Sequence, residues 1–246
     1  MTLSQLLVAP GAAIAMAVRQ RAIQAEDKQE RRDAILDAAE GVLLNAPDRV
    51  ASVAEVAVHA GLAKGTVYLY FPSKEELLLA VHERRIDCFF RDLIALVEAG
   101  PRVDFDAVYA LTRAHLVDPP LVLPLAARCF GLMTHSIPPA AALAFKQRMA
   151  ARLERAGAGV ERHFPLSAAT PSLGRGAVLL RRSYALILGL WQMSAAAGGA
   201  AAGTDPELPP VFAWGYPVEL EDALRALWAG MIGAASTAGS TAGVSP

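Results

Sequence analysis

Cysteine is scarce in this 246-residue chain, which contains only Cys88 and Cys129. The two residues are far apart in the sequence and form no CxxC pair, so they suggest neither a disulfide framework nor a thiolate metal site. The simplest interpretation is two buried, reduced thiols in a cytoplasmic protein. A disulfide or a redox switch is the alternative.

The chain also lacks an excess of charge of one sign. Its 23 Lys and Arg residues nearly balance its 24 Asp and Glu residues, which gives a net charge of -1. The molecule as a whole therefore lacks the basic character of many nucleic-acid-binding proteins, and any such signal must be local.

No hydrophobic run in the sequence is convincing as a membrane span. The apolar run from Leu3 to Val18 is shorter than the roughly 20 residues that a span needs. Its basic residues, Arg19 and Arg21, follow the run, whereas a signal peptide carries its positive charge before it. We therefore expect no membrane association and interpret residues 1-29 as an N-terminal extension, which is either weakly ordered or a helix that docks on the body of the protein.

Signatures of catalysis and metal binding are missing as well. The five histidines form no HExxH motif and no close Cys/His cluster, and the chain has no GxSxG, Walker or paired-carboxylate pattern. The segment LGRG at residues 173-176 is too short for a dinucleotide loop and follows no predicted strand. We expect no catalytic residues, no metal and no cofactor.

The residues that are abundant favour helices. Alanine is frequent and strand-type alternation is scarce, so the sequence predicts an all-α fold. Helical apolar spacing and Pro or Gly breaks predict helices over about residues 30-44, 53-60, 63-70, 73-99, 105-117, 121-136, 139-163, 173-197 and 218-235.

Two capping boxes stand close together near the N-terminus. In Ser52-Val53-Ala54-Glu55, the serine oxygen can accept from a free amide of the first turn while Glu55 reaches back to the cap amide. Ser73 and Glu76 have the same spacing. Gly61 ends the helix that the first box begins, because glycine accepts the left-handed backbone common just beyond a helix end.

Polar and aromatic residues are concentrated in the segment AGLAKGTVYLYFPSKEEL, residues 60-77. Two short helices joined by a tight glycine turn are typical of a helix-turn-helix, whose second helix can enter a DNA major groove. Gly65 costs a helix about 1 kcal/mol relative to alanine, so its presence suggests close approach to a phosphate or base edge. The side chains expected to face DNA are Lys64, Thr66, Tyr68 and Tyr70, and those expected in the core are Leu62, Val67 and Phe71. A purely core role for the aromatic residues is the alternative.

Residues 31-77 resemble the TetR family of bacterial transcriptional regulators. The resemblance lies in "RRDAILDAAEGVLL", in "SVAEVAVHAGLAKGTVYLYFPSKEELL" and in the spacing between them. It implies phosphate contacts from Ser52, Thr66, Tyr70 and Lys74. It also implies that Lys64 and Tyr68 lie at base edges or at the flanking backbone. Leu69 stands where a larger polar or aromatic residue is common, and we expect it to meet a thymine methyl.

The same resemblance implies a second, larger helical domain that binds a small effector and forms a homodimer. We expect the effector pocket to include Phe89, Tyr109, His115 and Met133. A surface or internally satisfied histidine remains the alternative for His115. Dimerisation through the last two long helices would bury Tyr184, Leu188, Trp191, Leu224 and Trp228, and core packing within one chain is the competing account.

The predicted organisation has four parts: the extension at residues 1-29, the helix-turn-helix domain at 30-76, the effector and dimerisation domain at 77-235, and a disordered tail at 236-246. The expected partners are a double-stranded DNA operator, a small apolar effector and a second copy of the chain. The expected function is a repressor that binds a palindromic operator and is released by its effector. A transcriptional activator of the same fold, or a helical enzyme, is the alternative.

Overall fold

The computed structural model describes residues 10-45, 52-99, 102-166, 174-196, 209 and 214-233. Regular structure within these ranges is helical throughout, which confirms the all-α prediction. The helices are α1 Pro10–Asn45, α2 Val53–His59, α3 Lys64–Tyr70, α4 Lys74–Ala99, α5 Phe105–Thr112, α6 Val122–His135, α7 Pro139–His163, α8 Arg175–Ala196 and α9 Tyr216–Gly233. One turn of π-helix, Arg113–Val117, continues α5. The expected disordered tail at 236-246 lies outside the described residues.

The first helix is longer than its sequence pattern predicts. It begins at Pro10 rather than near Glu30, so residues 10-29 belong to α1 and not to a separate extension. The residues after Gly11 are mostly Ala, Met, Gln, Arg, Glu and Lys, which are strong helix formers, and no Gly or Pro interrupts them. Residues 1-9 of the expected extension lie outside the described residues.

The chain divides into two compact units, and the boundary between Leu77 and Leu78 falls inside α4. In the first unit α1 packs against α2, and α2 packs against α3. The core side chains of this unit are Ile35, Leu36, Ala39, Val42, Leu43, Val53, Val56, Ala57, Val67, Phe71 and Leu77. Since α2 and α3 have only seven residues each, this shared core rather than helix propensity holds them in place.

Local signals fix the turn between α2 and α3 as the sequence predicts. The amide of Glu55 donates to Ser52 Oγ at 3.2 Å, and the amide of Ser52 donates to Glu55 Oε2 at 2.8 Å, so the first capping box is complete. Gly61 has a φ of 66°, a left-handed conformation that glycine adopts without steric cost. In the second box Glu76 donates its amide to Ser73 Oγ at 3.0 Å, while the Ser73 hydroxyl donates to the Glu76 carboxylate.

The second unit is built around α7, α8 and α9, with most of α4, α5 and α6 packed about them. Its core includes Phe90, Leu93, Val160, Leu179 and Trp228. Helices α7 and α8 cross at Gly157 and Gly176, where the two backbones touch and a Cβ atom at either position would collide with the other helix. Small residues at a crossing let helices approach closely, and here they set the distance between α7 and α8.

Ion pairs connect α4 to α7 in the second unit. Arg148 donates to both carboxylate oxygens of Glu83, at 2.6 and 2.7 Å, and Arg152 bridges Glu83 and Asp87 at 3.0 and 2.6 Å. Burial opposes ionisation of Glu83, but the hydrogen bonds from the two arginines outweigh it and lower the pKa of this carboxyl.

Among the described residues, no single helix has the length and apolar character to cross a membrane. Segments Phe105–Val117 and Val122–Met133 would reach that length only as a pair, which is bent by 71°.

Candidate nucleic-acid interface and ligand cavity

Helix α3 separates a buried side from an exposed polar side. Val67 is completely buried, whereas Lys64 and Gly65 are exposed and Tyr68 is 41% exposed. Lys64 and Tyr68 are one helical turn apart, and the Lys64 ammonium lies 5.8 Å from the centroid of the Tyr68 ring. The structure therefore brings a cation and an aromatic ring together on the accessible face of the short helix.

The other residues that the sequence predicts for DNA contact lie at or near the ends of helices in the first unit. Thr66 and Tyr70 are half-buried on α3, and Lys74 is the first residue of α4. Ser52 precedes α2; its Oγ accepts from the amide of Glu55, and its hydroxyl proton stays available to a phosphate oxygen.

Two large apolar side chains on these helices are exposed to solvent. Leu69 on α3 is 83% exposed, and Val58 on α2 is 79% exposed. Such exposure does not help folding, and at Leu69 it suits contact with a thymine methyl in the major groove. The sequence predicts no DNA contact for Val58, because its position along α2 is equally consistent with a partly buried residue.

A cavity of about 290 Å³ lies within the second unit. Its walls come from α4, α5 with the π-helical turn, α6, α7 and α8, and they are mainly aromatic and aliphatic. The phenylalanines of the lining are Phe89, Phe90, Phe130 and Phe145, with Ile86, Leu116, Met133, Met149, Leu153, Leu180 and Ile187 beside them. A largely apolar cavity of this size, with a few polar groups, is typical of a small-molecule site.

The four residues expected to bind an effector divide into two pairs. Phe89 and Met133 line the cavity, but Tyr109 and His115 do not. The Tyr109 ring stacks on Phe105, and its hydroxyl donates to the carbonyl of Pro217 at 3.3 Å. His115 Nε2 lies 3.0 Å from Asp92 Oδ2.

The polar lining residues were not expected there from the sequence, and two of them lie close together. His82 lines the cavity from α4, and Tyr184, which was expected in a dimer interface, lines it from α8. The Tyr184 hydroxyl is 3.4 Å from His82 Nε2. The only sequence signal for His82 is its place one turn from Leu78 and Ile86 on the buried face of α4.

His82 is a buried imidazole, 1% exposed, whose Nδ1 has no hydrogen-bond partner in the structure. Burial lowers the pKa of His82 to about 4, against a small opposing effect of the Glu83 carboxylate. The ring is therefore neutral at pH 7. Burial also raises the pKa of the Tyr184 phenol, so this hydroxyl keeps its proton.

The buried histidine predicts a pH dependence of stability. Below its ordinary pKa of 6.5 the unfolded chain takes up a proton at His82, while the folded chain does so only near pH 4. The free energy of unfolding should therefore fall as the pH drops from 6.5 to 4, by up to about 3 kcal/mol from this residue. Denaturant titrations at several pH values measure this slope. His82→Phe should flatten it, and equal slopes in the two proteins would contradict the assignment.

The residues expected at a dimer interface lie in different environments. Leu188 and Trp191 are half-buried on α8. Leu224 and Trp228 on α9 are 3% exposed and belong to the core of the single chain. Trp228 packs edge-on against Phe105 and Phe164, with ring centroids 5.7 and 5.0 Å away. These two residues therefore have almost no surface left for a partner, which matches the core-packing account.

Comparisons with known proteins agree with both units. The family model "Bacterial regulatory proteins, tetR family" matches residues 35-81, and "Tetracyclin repressor-like, C-terminal domain" matches residues 83-235. A solved structure described as a TetR-family transcriptional regulator from Mesorhizobium loti MAFF303099 is similar in fold, with a TM-score of 0.52 and 18% identity over 83% of this chain and 96% of that one. No curated protein sequence matches significantly. Since the two models together span both the helix-turn-helix and the cavity-bearing unit, this chain belongs to the TetR family of DNA-binding transcriptional regulators, which are not enzymes.

Proposed function

We propose that the protein is a dimeric repressor that binds an inverted-repeat operator and is released by a small, largely apolar effector. The observation that carries the proposal is the cavity of the second unit, whose wall includes His82, Ile86 and Phe89 of α4. The same helix begins at Lys74, a proposed phosphate contact. A ligand that shifts α4 would therefore act on a segment that also contributes to DNA binding.

Binding linkage makes this proposal testable. If a ligand weakens operator binding, the operator must weaken ligand binding by the same factor. Allosteric coupling is usually about 1 to 3 kcal/mol, or roughly 5- to 150-fold. Selection from random duplexes should recover an inverted repeat, because a two-fold dimer reads two equal half-sites. Ligands that bind the free protein are then titrated into the protein–operator complex, and equal affinities in both states would count against release by an effector.

Contacts from α3 should give sequence specificity, and contacts from α4 should give affinity for any duplex. Tyr68→Ala should weaken binding to the selected operator by about 1 to 3 kcal/mol and reduce discrimination against other sequences. Lys74→Ala should weaken all duplexes alike and reduce the slope of log K against log salt by about 1. Fluorescence anisotropy at several salt concentrations measures both effects.

The control for these variants is Arg91→Ala, which removes a cation of the second unit whose side chain is 70% exposed. This change should leave operator affinity and its salt slope unchanged. Unaltered operator binding by a folded Tyr68→Ala protein would show that α3 is not the reading helix.

Small residues on the outer faces of α8 and α9 support the dimer. Ala185 on α8 and Ala226, Ala229 and Gly230 on α9 are exposed, and Gly189 on α8 is partly exposed. A Cβ atom added at Gly189 or Gly230 would have no neighbour within 4 Å in the single chain. Each glycine costs helix stability of about 1 kcal/mol relative to alanine, so close approach of a partner helix is a reason for their presence. Leu188 and Trp191 flank this surface.

A matched pair of glycine variants tests the dimer. Gly189→Arg should keep the fold, because an added Cβ has no neighbour within 4 Å, but it should place a charge between subunits and produce monomers that bind the inverted repeat poorly. Gly131→Arg makes the same change on α6, where an added Cβ also has no neighbour within 4 Å, and should leave the dimer intact. Light scattering measures both masses. A stable Gly189→Arg dimer would locate the interface elsewhere.

A further inference from the structure

The polar groups of the cavity differ in how much hydrogen-bonding capacity they have left. The Thr112 hydroxyl donates to the carbonyl of Val108 at 2.8 Å. The Ser183 hydroxyl donates to the carbonyl of Leu179 at 2.9 Å and accepts from Trp228 Nε1 at 3.0 Å. Because both hydroxyls already hydrogen-bond within the protein, they contribute little to ligand recognition.

Few charged residues line the cavity. The lining contains no carboxylate, and its two cations, Lys146 and Arg181, are exposed residues. Transfer of an ionised group from water into an apolar site is very costly without a paired charge. The interior therefore disfavours a charged ligand.

His82 and Tyr184 are the exception among the lining polar groups. His82 Nδ1 is buried without a partner, and the 3.4 Å contact between His82 Nε2 and the Tyr184 hydroxyl is long for a hydrogen bond. A buried polar group that lacks a good hydrogen bond destabilises the structure. This pair is where a ligand would gain most from a polar atom.

We infer that the cavity selects an uncharged, mainly apolar alcohol or ketone whose oxygen pairs with the His82 imidazole and the Tyr184 hydroxyl. The inference rests on the proposed function, in which this cavity is the effector site. The neutral imidazole can donate or accept at Nε2, the nitrogen beside the Tyr184 hydroxyl, according to which ring nitrogen carries the proton, and a hydroxyl group satisfies either tautomer. A volume of about 290 Å³ suits a ligand on the order of ten non-hydrogen atoms. The aromatic walls favour a ring system.

Three probes with one ring skeleton separate polarity from shape: 2-naphthol, 2-methylnaphthalene and 2-naphthoate. Calorimetry with the full chain should show that 2-naphthol binds at least about tenfold more tightly than 2-methylnaphthalene, with 2-naphthoate weakest. His82→Phe should remove the preference for the hydroxyl while 2-methylnaphthalene still binds. Tyr184→Phe, which keeps the ring and removes only the hydroxyl, should reduce the preference and serves if His82→Phe does not fold. Thr112→Val is the control, and the preference should survive in it.

Several results would overturn the inference. Equal affinities for 2-naphthol and 2-methylnaphthalene would show that His82 and Tyr184 do not recognise the ligand. A preference for 2-naphthol that survives both in His82→Phe and in Tyr184→Phe would show the same. Tighter binding of 2-naphthoate would place the ligand's polar end at Lys146 and Arg181, and failure of all three probes to bind would reject the assigned size and polarity. Operator release is measured separately. A probe that binds as expected but leaves the operator complex intact would contradict the proposed function and leave the ligand class standing.

Discussion

Replacing Trp228 with alanine should lower the free energy of unfolding of the second unit by about 3 to 5 kcal/mol, the usual cost of truncating a buried tryptophan. The indole is 3% exposed, packs against Phe105 and Phe164, and donates from Nε1 to Ser183 Oγ at 3.0 Å. Its loss removes contacts from α5, α8 and the segment after α7 at once. Denaturant unfolding followed by circular dichroism measures the change.

Trp191→Ala is the matched control, because this tryptophan is only partly buried on α8. In a monomeric variant such as Gly189→Arg, Trp191→Ala should lower the free energy of unfolding by clearly less than Trp228→Ala does. A loss below about 1 kcal/mol for Trp228→Ala would contradict a core role and return this residue to the dimer interface.

The second large effect is expected at the crossing of α7 and α8. Gly157→Ala should cost about 3 kcal/mol, at the upper end of the penalty for overpacking. The new Cβ would lie 2.8 Å from the Cα of Ala177, and the colliding atoms are backbone atoms that cannot rotate away. The two helices would have to separate, which would disturb the core on both sides.

Gly131→Ala should stabilise the protein, in contrast to Gly157→Ala. Gly131 is an exposed helical residue, and an added Cβ atom there has free space around it. It should raise the free energy of unfolding by up to about 1 kcal/mol, since alanine is the better helix former. Thermal melts of both variants provide the comparison. Similar stabilities for the two would show that the α7–α8 contact is looser than the structure indicates.

The sequence predicts the first unit well because the signals there are local. Ser52 and Gly61 determine the ends of α2 through bonds and dihedral angles within a few residues, so the helix-turn-helix follows from spacing alone. Helix bounds from α2 onward lie within two residues of the predicted ones for the same reason, once the π-helical turn Arg113–Val117 is counted with α5. The early start of α1 is the exception, since the same strong helix formers occur both in an N-terminal extension and in a continuing helix.

Residues of the cavity could not be predicted in the same way. His82 is a single polar residue in an apolar stripe, and nothing nearby in the sequence shows that Tyr184 approaches it from a helix 102 residues away. Leu224 and Trp228 follow a helical apolar spacing that fits a core and an interface equally. Their position was settled by packing between α9, α5 and α8, which depends on the whole unit.

The glycines of the second unit limit how the sequence of this protein can change during evolution. At Gly157 and Gly176 any side chain collides within the same chain, so every descendant that keeps this helix crossing should retain both residues, whatever ligand or operator it acquires. At Gly189 and Gly230 the single chain sets no such limit. In the proposed dimer, variation at these two positions is open to selection on assembly, so drift there would mark lineages in which subunit pairing has changed while the protomer has not.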